Sequence, residues 1–360
     1  MQPPIYHSFI PLFEEYTMPA NPIFSEDYFQ AQQRFMDLAS RLGFETEVIP
    51  HPTFKSEEGP VQMTVALQGK PDSEHVVFIT SGVHGTELTA SSGIQLDLMQ
   101  RYLEQLPDNT KVVWVHAVNP TGCAIFTRTD ENNVDNNRNS ICFDGNLPQN
   151  PDYEELHTAI CAPQITGEEW EAANTAIKTY TEKNGAGALT QKVLKGQYSV
   201  PMGLFYGGEE TSWSTKTLKQ VIVCYGQGAK RATIIDLHTG VGPCGFCEVM
   251  DLSSKPGEEA EWSLIGGFMC DTLDSLDLEV PPTKLILEFG TVPFEQVLDA
   301  HRRDNWLKRN RDTVAPKLAA EIRQELKDAL FVDTQEWCDA LLTQSRDVFE
   351  QYVLKTTEEA

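Results

Sequence analysis

Cations are scarce in this chain: 28 Lys and Arg stand against 53 Asp and Glu among 360 residues, a formal net charge of −25. A nucleic-acid backbone is gripped by clustered cations that displace counterions, so no nucleic-acid partner is expected. Long apolar runs are missing as well. No stretch reaches the roughly 18 residues that a membrane-spanning helix needs. The segment from Met1 to Tyr16 holds proline and polar residues where a secretory leader would have a basic end and an apolar middle. The expectation is therefore a cytoplasmic protein with no membrane contact. Cysteine is not dense: the 8 thiols are scattered through core-like segments, unlike the crowded set of a small disulfide scaffold, and reduced thiols are expected. Nothing in the sequence points to an oligomeric state. What is present is enough apolar material, 40% of residues, to bury a sizeable core, which excludes global disorder.

The first half alternates helical and strand patterns, the sequence form of an α/β protein with a partly parallel sheet. Ser25 can cap a helix running to about Leu42, with apolar positions at Phe29, Phe35, Leu38 and Leu42. Strand-like runs follow at Phe44 to Ile49 and Gln62 to Leu67. HVVFIT (75–80) and KVVWVHAVN (111–119) are nearly continuous apolar runs of the kind buried on both faces. A helical pattern lies between them, from about Glu87 to Leu106. From about residue 140 to 229 the texture changes to an inserted stretch. It has a helix after the Thr166-Gly-Glu-Glu169 capping box, a Gly-rich aromatic segment (196–213) and a helix at Thr217 to Tyr225. Strands resume at RATIIDL (231–237) and KLILEF (284–289), with a helix expected between them at Trp262 to Leu276. Beyond Pro293 the pattern is helical: Pro293 to about Asn310, Pro316 to Phe331 and, after an Asp333 cap, Gln335 to Lys355. The reading is one domain over 1–360, with a core at about 20–310 and C-terminal helices at about 311–355. Its centre would be a mixed, mostly parallel twisted sheet flanked by helices.

Polar residues at the ends of buried strands stand out, because ligands of open α/β sheets bind at the carboxyl ends of the strands. His84 lies in the turn after one strand and Glu87 opens the next helix; across such a turn an imidazole and a carboxylate can converge on one cation. By itself the pair is also what a helix cap beside a loop histidine looks like. His238 follows the strand Ile234-Ile-Asp-Leu237 and enters a Gly-rich loop, whereas His116 lies within a strand and reads as a core histidine. Two His and one Glu would leave a zinc position open, the pattern of a catalytic site. Asp236, two residues before His238 and on the same strand face, either orients that imidazole or caps a neighbouring loop. Glu288 ends an apolar strand, where a carboxylate is costly to bury unless used; it is placed as a general base. Arg128 and Arg138 sit in an Asn-rich loop (119–139) after a strand, suggesting recognition of a carboxylate or an oxyanion. The same Asn and Asp residues also suit a solvated turn network. Cys244-Gly-Phe-Cys247 has the spacing of a redox or zinc pair, but no second pair accompanies it.

HGTE (84–87), NPTG (119–122), the arginine-to-NNVDNNRN stretch (128–139), DLHTG (236–240) and LEFGT (287–291) occur in the order of the zinc carboxypeptidase-like superfamily, which the chain resembles. GQYSVPMGLFYGG (196–208), SWSTKTL (212–218) and RRDNWL (302–307) are similar to a bacterial branch of it catalogued as a domain of unknown function. The resemblance implies that His84, Glu87 and His238 ligate one Zn²⁺ and that Glu288 is the catalytic glutamate. It further implies that Arg128 polarises the scissile carbonyl and that Asn137 and Arg138 grip a substrate's terminal carboxylate. Tyr206 is the candidate for the tyrosine that relatives bring over the substrate. Asn136 stands where the family usually has an aliphatic residue. The implied activity is hydrolysis of an amide bond in a small peptide or small molecule with a free carboxylate, by carboxypeptidase chemistry. The alternatives are an N-acyl amino acid deacylase and a non-catalytic zinc-loaded peptide-binding protein.

Overall fold

The structure is a computed structural model and describes residues 21–56, 58–253 and 265–355. The chain opens with α1 (Tyr28–Arg41), the hairpin β1 (Glu45–Ser56) and β2 (Gly59–Gln68), then β3 (His75–Thr80), α2 (Leu88–Arg101), β4 (Thr110–His116) and the short α3 (Pro120–Ile125). Four helices follow: α4 (Pro151–Ile160), α5 (Gly167–Asn184), α6 (Ala186–Leu194) and α7 (Trp213–Gly226). Next come β5 (Arg231–Gly240), β6 (Cys247–Asp251), β7 (Thr283–Gly290), α8 (Phe294–Asn310), α9 (Pro316–Leu330) and α10 (Gln335–Phe349), which ends in a π-helical turn at Glu350–Leu354.

The strands form one sheet in the order β1-β2-β4-β3-β5-β7-β6. Its centre, β4-β3-β5-β7, is parallel, while β2 and β6 run against their neighbours. Parallel strands bury both faces, and β3 shows it. Val77 and Ile79 pack under α1, α2 and α10 with Phe35, Ile94 and Phe349. Val76 and Phe78 point the other way, against Leu218 and Ile222 of α7 and Leu273. At about 25 cal/mol per Å² of apolar surface, these two layers are the main driving force for folding.

Several local readings change. Asp27, not Ser25, caps α1, its side chain accepting from Gln30 N. Thr166 sits at the N-cap of α5 without making the capping bond, and Thr334 rather than Asp333 caps α10. The helix expected at Trp262 to Leu276 lies partly outside the described residues; its described part is a 3₁₀ helix, Met269–Ser275. The short strand β6, and helices α4 and α6, carry no counterpart in the sequence reading.

Candidate metal centre

The carboxyl ends of the four central strands converge. The turn after β3 carries His84 and Glu87, the loop after β4 and α3 carries Arg128 to Asn139, β5 carries His238 near its end, and β7 places Glu288 opposite it as its Cα partner. Local sequence brings the first two loops together. A Cβ on Gly85 would stand 2.0 Å from the Gly122 carbonyl carbon, so the HGTE turn approaches the NPTG turn only because Gly85 carries no side chain. Asn119 caps α3, accepting from Gly122 N at 3.0 Å, and so anchors the loop that follows.

His84, Glu87 and His238 are all buried, and one ligand atom from each lies within 4.8 Å of the others. Glu87 offers one oxygen to His84 Nδ1 and the other to His238 Nδ1, each at 2.8 Å. The two Nδ1 atoms are 3.2 Å apart. Two nitrogens each about 2.0–2.1 Å from a tetrahedral centre are separated by about 3.3 Å, so the donor set fits a divalent ion of zinc's size. The far nitrogens are tied down by carboxylates: His84 Nε2 lies 3.2 Å from Asp135 Oδ1, and His238 Nε2 lies 2.8 Å from Asp236 Oδ2. This leaves both Nδ1 atoms as the ligating edge and fixes the ring planes.

The electrostatics follow. Burial works against ionising Glu87, but the two imidazoles hold its carboxyl well below the ordinary value. Burial likewise opposes a charge on His238, which Asp236 and Glu87 override, holding its pKa well above the usual one. Glu288 is pushed up to about 7 by burial and by the Glu87 charge. Its Oε1 accepts from Val241 N at 2.9 Å.

Six of the sequence-derived residues line one cavity, His84, Glu87, Arg128, Asn137, Arg138 and Glu288, while His238 joins the cluster without lining it. Arg128 donates from Nε to Asp135 at 2.8 Å, and its guanidinium lies 4.5 Å over the Phe205 ring. Arg138 donates from Nε to the Leu194 carbonyl and from one terminal nitrogen to the Asn137 carbonyl. Gly196 admits that side chain, since a Cβ there would sit 2.9 Å from Arg138 Cγ and Cδ. Asn137 Oδ1 accepts from Met269 N at 2.7 Å. Asn136, the departure from the family pattern, faces inward and accepts from Ser212 Oγ at 2.7 Å. Asp236 also accepts from Thr80 Oγ1 at 2.6 Å across the β3–β5 pairing. Tyr206 lies apart: its side chain is buried and absent from the cavity wall, its hydroxyl bonds Glu209, and its backbone carbonyl accepts from Asp135 N. Cys247 is buried at the start of β6 and Cys244 is exposed.

Two residues of the site escape sequence reading. Asp135 links His84 to Arg128, but an Asp in an Asn-rich loop looks like a turn former. His301, on α8, lines the cavity beside Phe294, Val297 and Leu298. The i, i+3, i+4, i+7 spacing of those four was the available signal.

A buried His-Glu-His cluster that could hold a metal ion lies beside a cavity at the strand ends of a mixed α/β sheet. The chain belongs to the family described as "Protein of unknown function (DUF2817)", matching it over residues 24–264 and 264–344. That agrees with the branch suggested by the motifs. No curated protein matches the chain. Among solved structures, it is similar to a protein of Shewanella amazonensis SB2B provisionally assigned as a metallopeptidase, at 14% identity and TM-score 0.39, covering 79% of this chain and 93% of that one. It is also similar to a metallo-carboxypeptidase from Pseudomonas aeruginosa, at 13% identity and TM-score 0.36, covering 87% and 69%. A third is a Shewanella frigidimarina NCIMB 400 protein provisionally assigned as a succinylglutamate desuccinylase/aspartoacylase, at 15% identity and TM-score 0.34, covering 74% and 71%. At such scores the likeness leaves the site to be read from its own geometry.

Proposed function

We propose that the protein is a zinc-dependent hydrolase of amide bonds, acting as a carboxypeptidase on small peptides with a free C-terminal carboxylate. The observation that supports this best is that His84 and Glu87, clustered with His238, share a single cavity with Glu288, Arg128 and Arg138. Two imidazoles and one carboxylate suit zinc and leave a coordination position for water or substrate. A bound ion of this kind supplies Lewis acidity, polarising an amide carbonyl and making water acidic near neutral pH.

The chain's own groups supply the rest. Arg138 and Asn137 bind the terminal carboxylate and so select which amide is presented. Arg128, steadied by Asp135 and Phe205, stabilises the negative charge that develops on the carbonyl oxygen. Glu288 has an affinity for protons near neutrality, which suits a group that takes a proton from water and returns it to the leaving amine. Replacing Glu288 by Gln preserves the shape and the bond from Val241 N while removing the base. Purified Glu288→Gln is expected to keep about one zinc per chain and to lose about 10²- to 10⁴-fold in kcat. Metal analysis alongside a dipeptide and N-acyl amino acid panel tests this; an unchanged rate in a zinc-loaded variant overturns the role of Glu288.

A further inference from the structure

Helix α8 turns one stripe to the cavity: Phe294, Val297, Leu298 and His301. Three of the four are apolar. His301 is only 3% exposed, and its ring makes no hydrogen bond to another described residue. Its ring meets Phe205 edge-on at 5.9 Å, the same ring that carries Arg128 on its face at 4.5 Å. Phe205 itself sits at φ 52, a left-handed backbone that costs a non-glycine residue about 1–2 kcal/mol. A polar ring that faces the cavity from an otherwise apolar stripe is placed to meet something that enters it. Burial, with Arg128 nearby, pushes its pKa down to about 3 and keeps the ring neutral, with one donor and one acceptor.

We propose that His301 is a specificity-determining residue that hydrogen-bonds the amide next to the scissile one on its acyl side, making N-acylated or longer peptides the preferred substrates. The proposal rests on the hydrolase reading for the meaning of "scissile". Arg128, which faces the scissile carbonyl in that reading, and His301 both contact the Phe205 ring, at 4.5 and 5.9 Å from its centroid, so two to three peptide units of about 3.8 Å each span the gap at most. An amide offers the C=O and N–H that a neutral imidazole can meet, and an alkyl chain offers neither. Asp304, one turn along α8, spends Oδ2 on Thr127 and Lys308 and has no partner for Oδ1. A structural bond between His301 and Asp304 is thus the rival that the test must separate.

The test uses N-acetylalanyl-phenylalanine and its all-carbon analogue 2-methylpentanoyl-phenylalanine, which differ only in the acyl-side amide. With His301→Leu, kcat/KM on the first is expected to fall about tenfold, mainly through KM, and on the second by less than about twofold. His301→Gln, neutral and able to donate and accept, is expected to recover most of the loss. Equal losses on both compounds would mean that His301 only supports the wall or Asp304, and no loss on either would mean that water alone satisfies it; both overturn the proposal. Calorimetric binding of the same pair to the zinc-loaded Glu288→Gln protein, with and without His301→Leu, requires no turnover. If wild type hydrolyses neither compound yet binding of the acetylated one depends on His301, the hydrolase reading fails and the recognition role stands. If binding shows no such dependence, the role fails.

Discussion

Two carboxylates hold the imidazoles of the candidate metal site by their far nitrogens, Asp135 for His84 and Asp236 for His238. Such partners fix the tautomer and raise ligand basicity, and their loss typically costs 10- to 100-fold in metal affinity. Asp236→Asn is the cleaner probe, because an amide oxygen can still accept from Thr80 and keep the β3–β5 contact. Its zinc affinity, measured by chelator competition, is expected to fall about 10- to 100-fold with the far-ultraviolet circular dichroism unchanged. An affinity equal to wild type would reduce Asp236 to a loop cap. His116 is the contrasting case, a histidine with its needs met inside the core. It lies within hydrogen-bond distance of Gln32 at Nδ1 and of Ser92 at Nε2, and burial pushes its pKa down to about 3. The unfolded chain, with an ordinary histidine near 6.5, binds the proton that the folded one refuses. Its contribution is therefore complete above about pH 6.5 and is lost as pH falls towards 3. Denaturant melts of wild type and His116→Gln should show the variant gaining on wild type by about 1.4 kcal/mol per pH unit between pH 6 and 4. A pH-independent difference would show that His116 is charged in the fold.

At the scale of elements, what could be read in the sequence follows from where order comes from. β3, β4, β5 and β7 are buried on both faces, so they write themselves as continuous apolar runs, and the residues at their ends are legible as a site. β6 is an edge strand with Cys247 as its one buried residue, made a strand by pairing with β7. No sequence pattern announces it. The 3₁₀ helix at Met269–Ser275 similarly begins where Asn137 takes the Met269 amide, a bond across the fold that periodicity cannot register. α4 was readable in principle: Asn150 accepts from Tyr153 N, Pro151 opens the helix, and Tyr153, Leu156 and Ile160 fall on one buried face. Asp135 and His301 acquire their meaning only from neighbours distant in sequence. The place of Tyr206 has the same root, since it depends on Glu209 and on holding Asp135 by a backbone carbonyl.

Across the whole molecule, a net charge of −25 surrounds a cavity whose proposed substrate handles, Arg128 and Arg138, are positive and buried or nearly so. The two influences act over different distances. The acidic surface repels an anionic substrate from afar, and salt removes that repulsion beyond a Debye length of about 10 Å at 0.1 M. The arginine contacts are made at close range inside a low-dielectric cavity, where salt screens them much less. Raising ionic strength from about 20 to 200 mM should therefore increase kcat/KM for a carboxylate-bearing peptide, by no more than about threefold, and leave kcat nearly unchanged. The amide of the same peptide, uncharged, should show no such rise. A steep fall in kcat/KM with salt would mean that the local cations steer encounter and that the field at the cavity mouth is positive despite the charge of the chain.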